Sequence, residues 1–98
     1  MPFIIRAYDK PDSAALRAET RQAHLAYLAP HAPRVLAGGA LLSDDGSNAL
    51  GSLIIFDTED RAEAEALAAN DPYAQAGLFE RVEILRWRKV LFDGAVLA

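Results

Sequence analysis

The chain has 98 residues, no cysteine and a formal net charge of -4. That length fits one domain with one core, and a hydrophobic content of 52% excludes a disordered chain. The lack of cysteine excludes a disulfide framework, a zinc–thiolate site and a thiol nucleophile, and the acidic balance argues against a nucleic-acid partner, since neutralising phosphates takes clustered Lys and Arg.

The N-terminal "MPFIIRAYDK" holds an apolar run too short for a signal segment or a membrane span. A soluble cytoplasmic protein without membrane partners is therefore expected. Pro2 to Tyr8 reads as a first strand. "DKPDS" interrupts it, with Asp12 or Ser13 as candidate N-cap of a helix running to about Leu28. Pro30 and Pro33 stop that helix. "RVLAGGALL", Arg34 to Leu42, reads as a strand with a glycine-rich kink, "SDDGSN" as a turn, and Ala49 to Asp57 as a third strand. A helix begins near Thr58 and Arg61 and continues through "EDRAEAEALAAN", whose residues favour helix strongly. "DPYAQAG" reads as one short helix, with Asp71 as N-cap, Pro72 at the first position and Gly77 closing it. Glu80 to Val90 alternates like a strand, and Leu91 to Ala98 forms a tail without a clear signal. The whole chain, 1–98, is one domain.

The order β-α-β-β-α-β is that of the α+β ferredoxin-like plan, four antiparallel strands with two helices on one face. An antiparallel sheet with one wet face should alternate apolar and polar residues, yet "FII" and "LIIF" do not. Phe3 and Ile5 point one way and Ile4 the other; Leu53 and Ile55 oppose Ile54 and Phe56. Two helices cover one face only. A second copy of the sheet is the expected cover of the other, giving a homodimer packed face to face as a barrel.

Two histidines are available for chemistry. His24 stands at the border of the helix face formed by Arg21, Leu25 and Leu28. It fits either a half-buried histidine bonded to a backbone carbonyl or a general acid/base, since imidazole titrates near neutrality. His31 follows Pro30 and reads as a surface residue. Asp71 is explained by capping alone, but a carboxylate that caps a turn can also hold a histidine ring. The ferredoxin-like order permits the meeting: the end of the first helix and the segment after the second border one cleft. Gly38 and Gly39 would leave room beside that cleft, or would instead shape a bulge. Arg21 and Arg86 are candidate carboxylate holders, and Tyr73 is a further candidate substrate-binding residue. No phosphate-binding glycine pattern is present, and Ser43, Ser47 and Ser52 lie outside any nucleophile elbow. Adjacent Asp44 and Asp45 read as solvated turn residues. No metal site and no organic cofactor are expected.

"RQAHLAYL", "LAGG", "GSLIIF", "DPYAQAGLFERVEI" and "RKVL" occur in the order and spacing of the YCII-related family, which the chain resembles from Phe3 to about Phe92. The resemblance implies a dimeric ferredoxin-like α/β barrel and an active-site pair that maps onto His24 and Asp71. The chain departs where many relatives read Ala-Gly-Pro, here Ala37-Gly38-Gly39, and Lys-Pro-Phe, here Leu85-Arg86-Trp87. Three functions stay open at this level: cofactor-free acid/base chemistry of lyase, isomerase or hydrolase type on a small metabolite, a non-catalytic ligand-binding module on the same barrel, and, by fold analogy alone, a cofactor-free oxygenase.

Overall fold

The computed structural model describes residues 1–97. Strand β1 (Phe3–Asp9) leads into helix α1 (Ala14–Leu28), a 3₁₀ segment (Ala29–Arg34), and strands β2 (Val35–Leu42) and β3 (Ala49–Phe56). Helix α2 (Arg61–Ala69), the one-turn helix α3 (Pro72–Gln75) and strand β4 (Phe79–Arg86) complete the main fold. The four strands are antiparallel in the order β2-β3-β1-β4. With both long helices on one face, this is the ferredoxin-like α+β arrangement.

Strand parity sorts the side chains as the unbroken apolar runs require. Phe3 and Ile5 stand opposite Phe56 and Ile54. All four are buried and pack with Ala64 and Leu67 of α2, flanked by Tyr27 and Leu28 of α1 and by Ile84. The opposite parity places Ile4 beside Ile55 and Leu85, and Arg6 beside Leu53 and Glu83. No helix among the described residues covers this second face, and Leu85 remains 47% exposed. Arg6 donates to Glu83 through Nε and a terminal nitrogen (2.9 and 2.7 Å), and the Tyr8 hydroxyl donates to the same oxygen at 3.0 Å. A polar cluster thus sits within the apolar surround.

Local chemistry differs from expectation at several boundaries. Asp60 caps α2, accepting from the Ala62 amide at 2.9 Å, while Thr58 donates to Glu63 at 2.6 Å. Neither Asp12 nor Ser13 caps α1 through its side chain: Ser13 donates its hydroxyl to the Pro11 carbonyl, and Asp12 takes the turn with φ 58°. Strand β4 stops at Arg86 rather than Val90. The tail forms a small hairpin of β5 (Leu91–Phe92) and β6 (Ala95–Val96), closed by Asp93 and Gly94 with φ of 51° and 75°. An Asp-Gly pair is the favoured two-residue turn for such a hairpin. His31 is half-buried rather than on the surface, with its ring 5.6 Å from Tyr27 and edge-on to Phe56. No helix among the described residues is long and apolar enough to cross a membrane.

Glu63 ties the start of α2 to the sheet. It accepts from Arg34 at 3.0 and 3.1 Å and from Thr58, and these bonds hold its carboxyl at about 2, below the ordinary 4.5. A carboxyl depressed by folding stabilises the native state above its unfolded pKa, and that contribution fades as pH falls through the folded one. Glu63→Gln is therefore expected to flatten the loss of stability between pH 4.5 and about 2. Denaturant midpoints measured across that window check it; an acid limb unchanged in the variant would contradict the assignment.

Candidate active site

Helix α1 turns an unusual stripe toward the sheet. Residues 17, 21, 24, 25 and 28 share one side at helical spacing, and in this chain they are Arg17, Arg21, His24, Leu25 and Leu28. A core-facing stripe is ordinarily apolar. Here three of its positions are polar, and no residue of α1 is fully buried. The helix stands off the β2–β3 side of the sheet and leaves a cavity of about 430 Å³ between them. All five stripe residues line it, together with Ala29, Ala32, Val35, Gly38, Gly39, Ser52, Ile54 and Tyr73.

The glycines keep this space open. Gly38 and Gly39 pair in register with Ile54 and Leu53, and the β2–β3 irregularities fall elsewhere, between Val35 and Ala37 and between Leu41 and Leu42. A bulge is therefore not their role. A Cβ on Gly39 would meet nothing within 4 Å, and one on Gly38 would make only ordinary contacts.

His24 and Asp71 meet at the cavity wall. The imidazole Nδ1 lies 2.9 Å from each carboxylate oxygen of Asp71, and both side chains are largely buried. Asp71 Oδ1 also accepts from the Tyr73 amide at 2.9 Å, so the N-cap of α3 and the histidine contact are made by one carboxylate. Pro72 at the first helical position and the Gly77 turn, φ 78°, fix this segment. An ionised carboxylate only accepts hydrogen bonds, so Nδ1 is the protonated nitrogen opposite it, and Nε2 is left for a ligand.

Tyr73 is buried and holds the ring from its face. The two rings stack with centroids 4.0 Å apart and 17° between planes, and the Arg17 guanidinium carbon lies 4.7 Å from the Tyr73 centroid. Arg17 and His24 are seven residues apart on α1, a rise of roughly 10 Å; the phenol ring fills the gap between them. Burial pushes the Tyr73 phenol above its ordinary pKa, with Arg17 and Arg21 opposing.

Arg17 and Ser52 were not foreseen as site residues. Arg17 donates to both oxygens of Asp9 (2.7 and 3.1 Å) and to the Ser52 hydroxyl (2.8 Å). Burial works to lower its pKa, but the hydrogen bonds and charge of Asp9 outweigh it and hold the guanidinium above its usual value. The signal for Arg17 was its place one turn before Arg21 and two turns before His24. Ser52 gives no such signal, because its role depends on strand pairing. Arg21 lines the mouth of the cavity. Arg86 does not line it: it lies over the Phe3 ring at 4.3 Å and pairs with Glu59 at 3.6 Å, on the far side of β1. Among the described residues no three His, Cys, Asp or Glu side chains gather as metal ligands.

The YCII-related domain model matches residues 1–88. Protein YciI of Escherichia coli O6:H1 is 35% identical over 97 residues, covering 92% of this chain and 99% of that one. An uncharacterised protein of Haemophilus influenzae is 32% identical over the same span. Among solved structures, 5-chloro-2-hydroxyhydroquinone dehydrochlorinase (TftG) of Burkholderia phenoliruptrix AC1100, in complex with 2,5-dihydroxybenzoquinone, is 35% identical with a TM-score of 0.83, covering 90% of this chain and 94% of that one. A variant of MhuD bound to manganese protoporphyrin IX has a TM-score of 0.51 at 22% identity over 97% of this chain and shares the fold alone. With the family model spanning nearly the whole fold and relatives matched end to end, the chain belongs to the YCII-related domain family.

Proposed function

We propose that the protein is a cofactor-free enzyme that moves protons on a small oxygenated metabolite, with His24 as acid/base and Asp71 as the group that orients it. The contact of His24 Nδ1 with both Asp71 oxygens, beside an open cavity, carries this reading. Nε2 takes a proton from a substrate hydroxyl or carbon. The released electron pair then expels a leaving group or shifts a double bond, and the imidazolium returns the proton to the leaving group, to another substrate atom or to water. Elimination, isomerisation and activation of water all need only this carrier. Arg17, donating to Asp9 and Ser52 and packed on the Tyr73 ring, sets a fixed positive charge in the cavity wall. The dehydrochlorinase named for TftG is an elimination enzyme of the same family fold. Chloride release from 5-chloro-2-hydroxyhydroquinone is accordingly the first assay, run on wild type and His24→Asn. A binding module on the same scaffold would hold such a ring unchanged.

We further propose that the working form is a homodimer joined through the uncovered sheet face. Ile4, Leu53, Ile55 and Leu85 gather there, and burying each large apolar side chain contributes about 1.5–3 kcal/mol. Sedimentation at micromolar concentration is expected to show a dimer, and Leu85→Asp to shift it toward monomer. A wild-type monomer at that concentration would sink the proposal.

A further inference from the structure

The cations of the cavity are not equally available. Arg17 is matched by Asp9, with Ser52 as a second acceptor, and His24 is matched by Asp71. Arg21, one turn along α1 from Arg17, has no ion-pair partner among the described residues and is exposed at the cavity mouth. Beyond it the wall changes character. Leu25, Leu28, Ala29, Ala32 and Val35 follow, with Ile54 on the sheet side, and none carries a polar side chain. From Arg21 to Leu28 the helix rises roughly 10 Å, about the length of a para-substituted benzene ring. The cavity therefore runs from one uncompensated positive charge, past the imidazole, to an apolar end.

We infer that the site selects a monoanion with a flat apolar body. Its carboxylate or phenolate pairs with Arg21, its ring lies beside His24 and Tyr73, and its far substituent is apolar and packs on Leu28 and Val35. A neutral analogue forfeits the charge-assisted bond to Arg21. A second anionic group at the far end would be desolvated against leucine and valine without a partner. This selectivity deepens the proposed acid/base reading only in placing the reacting ring at His24; the charge pattern itself does not depend on catalysis.

Calorimetric titration of the 98-residue chain tests it with three probes: 4-ethylbenzoate, 4-ethylbenzamide and terephthalate. The benzoate is expected to bind about tenfold more tightly than the amide, as one charge-assisted bond at a partly wet site implies. Terephthalate is expected to bind more weakly than the ethylbenzoate. Arg21→Gln should erase the preference for benzoate over amide, and Arg21→Lys should restore part of it. In His24→Asn the preference for ethylbenzoate over ethylbenzamide should persist whatever the change in absolute affinity, because that preference comes from Arg21. A fully active His24→Asn would thus end the acid/base proposal without touching this one. Arg21→Gln that keeps the anion preference, terephthalate that binds as tightly as ethylbenzoate, or no saturation by ethylbenzoate at millimolar concentration would each overturn the inference.

Discussion

Replacing His24 with asparagine should lower turnover by about 10²–10⁴-fold, the usual share of a positioned acid/base group, with the fold retained. Asparagine keeps a donor toward Asp71, whose oxygens otherwise lose their ring partner at 2.9 Å. The Tyr73 amide still bonds Asp71, so α3 keeps its cap. Asp71→Asn is the sharper companion. Its side-chain oxygen can take over the cap, but its NH₂ then faces Nδ1 and donates to it. That reverses the tautomer, putting the proton on Nε2 and the lone pair where substrate cannot use it. Turnover should fall by a similar factor while KM moves little, because neither change touches Arg17 or Arg21. Circular dichroism and thermal melting separate loss of chemistry from loss of fold. Either variant turning over within a few-fold of wild type would mean that the pair is structural and that the cavity binds without transforming.

The strands and the α3 turn are readable because each rests on local pattern. Unbroken apolar runs in β1 and β3 announced a sheet loaded on both faces, and "DPYAQAG" announced a capped turn. Element order only permits His24 to meet Asp71, since the ferredoxin-like plan sets the end of α1 beside the segment after α2; the resemblance to the YCII-related family is what singles out the pair. Arg17 escaped although its spacing was visible, because an arginine on a helix is ordinarily a solvated residue; only the neighbouring Tyr73 ring and the Asp9 carboxylate make it part of the site. Ser52 escaped for a different reason. A strand serine acquires meaning through the residue above it, here Arg17 from a helix 35 positions away in the chain. Arg86 is a candidate carboxylate holder by residue type, but it does not line the cavity. Pairing with Phe3 puts it on the helix face, but at the Phe3 end of the sheet rather than the cavity end. The tail hairpin escaped the sequence reading, because strands of two residues are too short for alternation to register and Asp93-Gly94 alone marks only a turn.

Glycine gives the largest expected effect on stability, and at a position that draws no notice in the sequence. Gly38 and Gly39 look special, but alanine at Gly39 should change stability by no more than about 0.5 kcal/mol, since its Cβ enters open space. Gly51 looks ordinary within β3. A Cβ there would lie 2.1 Å from the Ala7 carbonyl oxygen and 3.1 Å from its carbon. Both obstacles are backbone of the central strand, so no rotamer change relieves them. Strands β1 and β3 must part where Tyr8 pairs with Gly51 and Ala7 with Ser52. Gly51→Ala is therefore expected to cost about 3 kcal/mol or more, the upper range for overpacking, and to lower the melting temperature by roughly 15 °C for a domain of this size. The damage should also reach the site. Ser52 is the next residue and holds Arg17 at 2.8 Å, so displacing it loosens the guanidinium that packs on Tyr73. Thermal melts of Gly39→Ala and Gly51→Ala side by side provide the measurement, and equal stability of the two would show that the sheet yields at Gly51 more readily than its backbone contacts indicate.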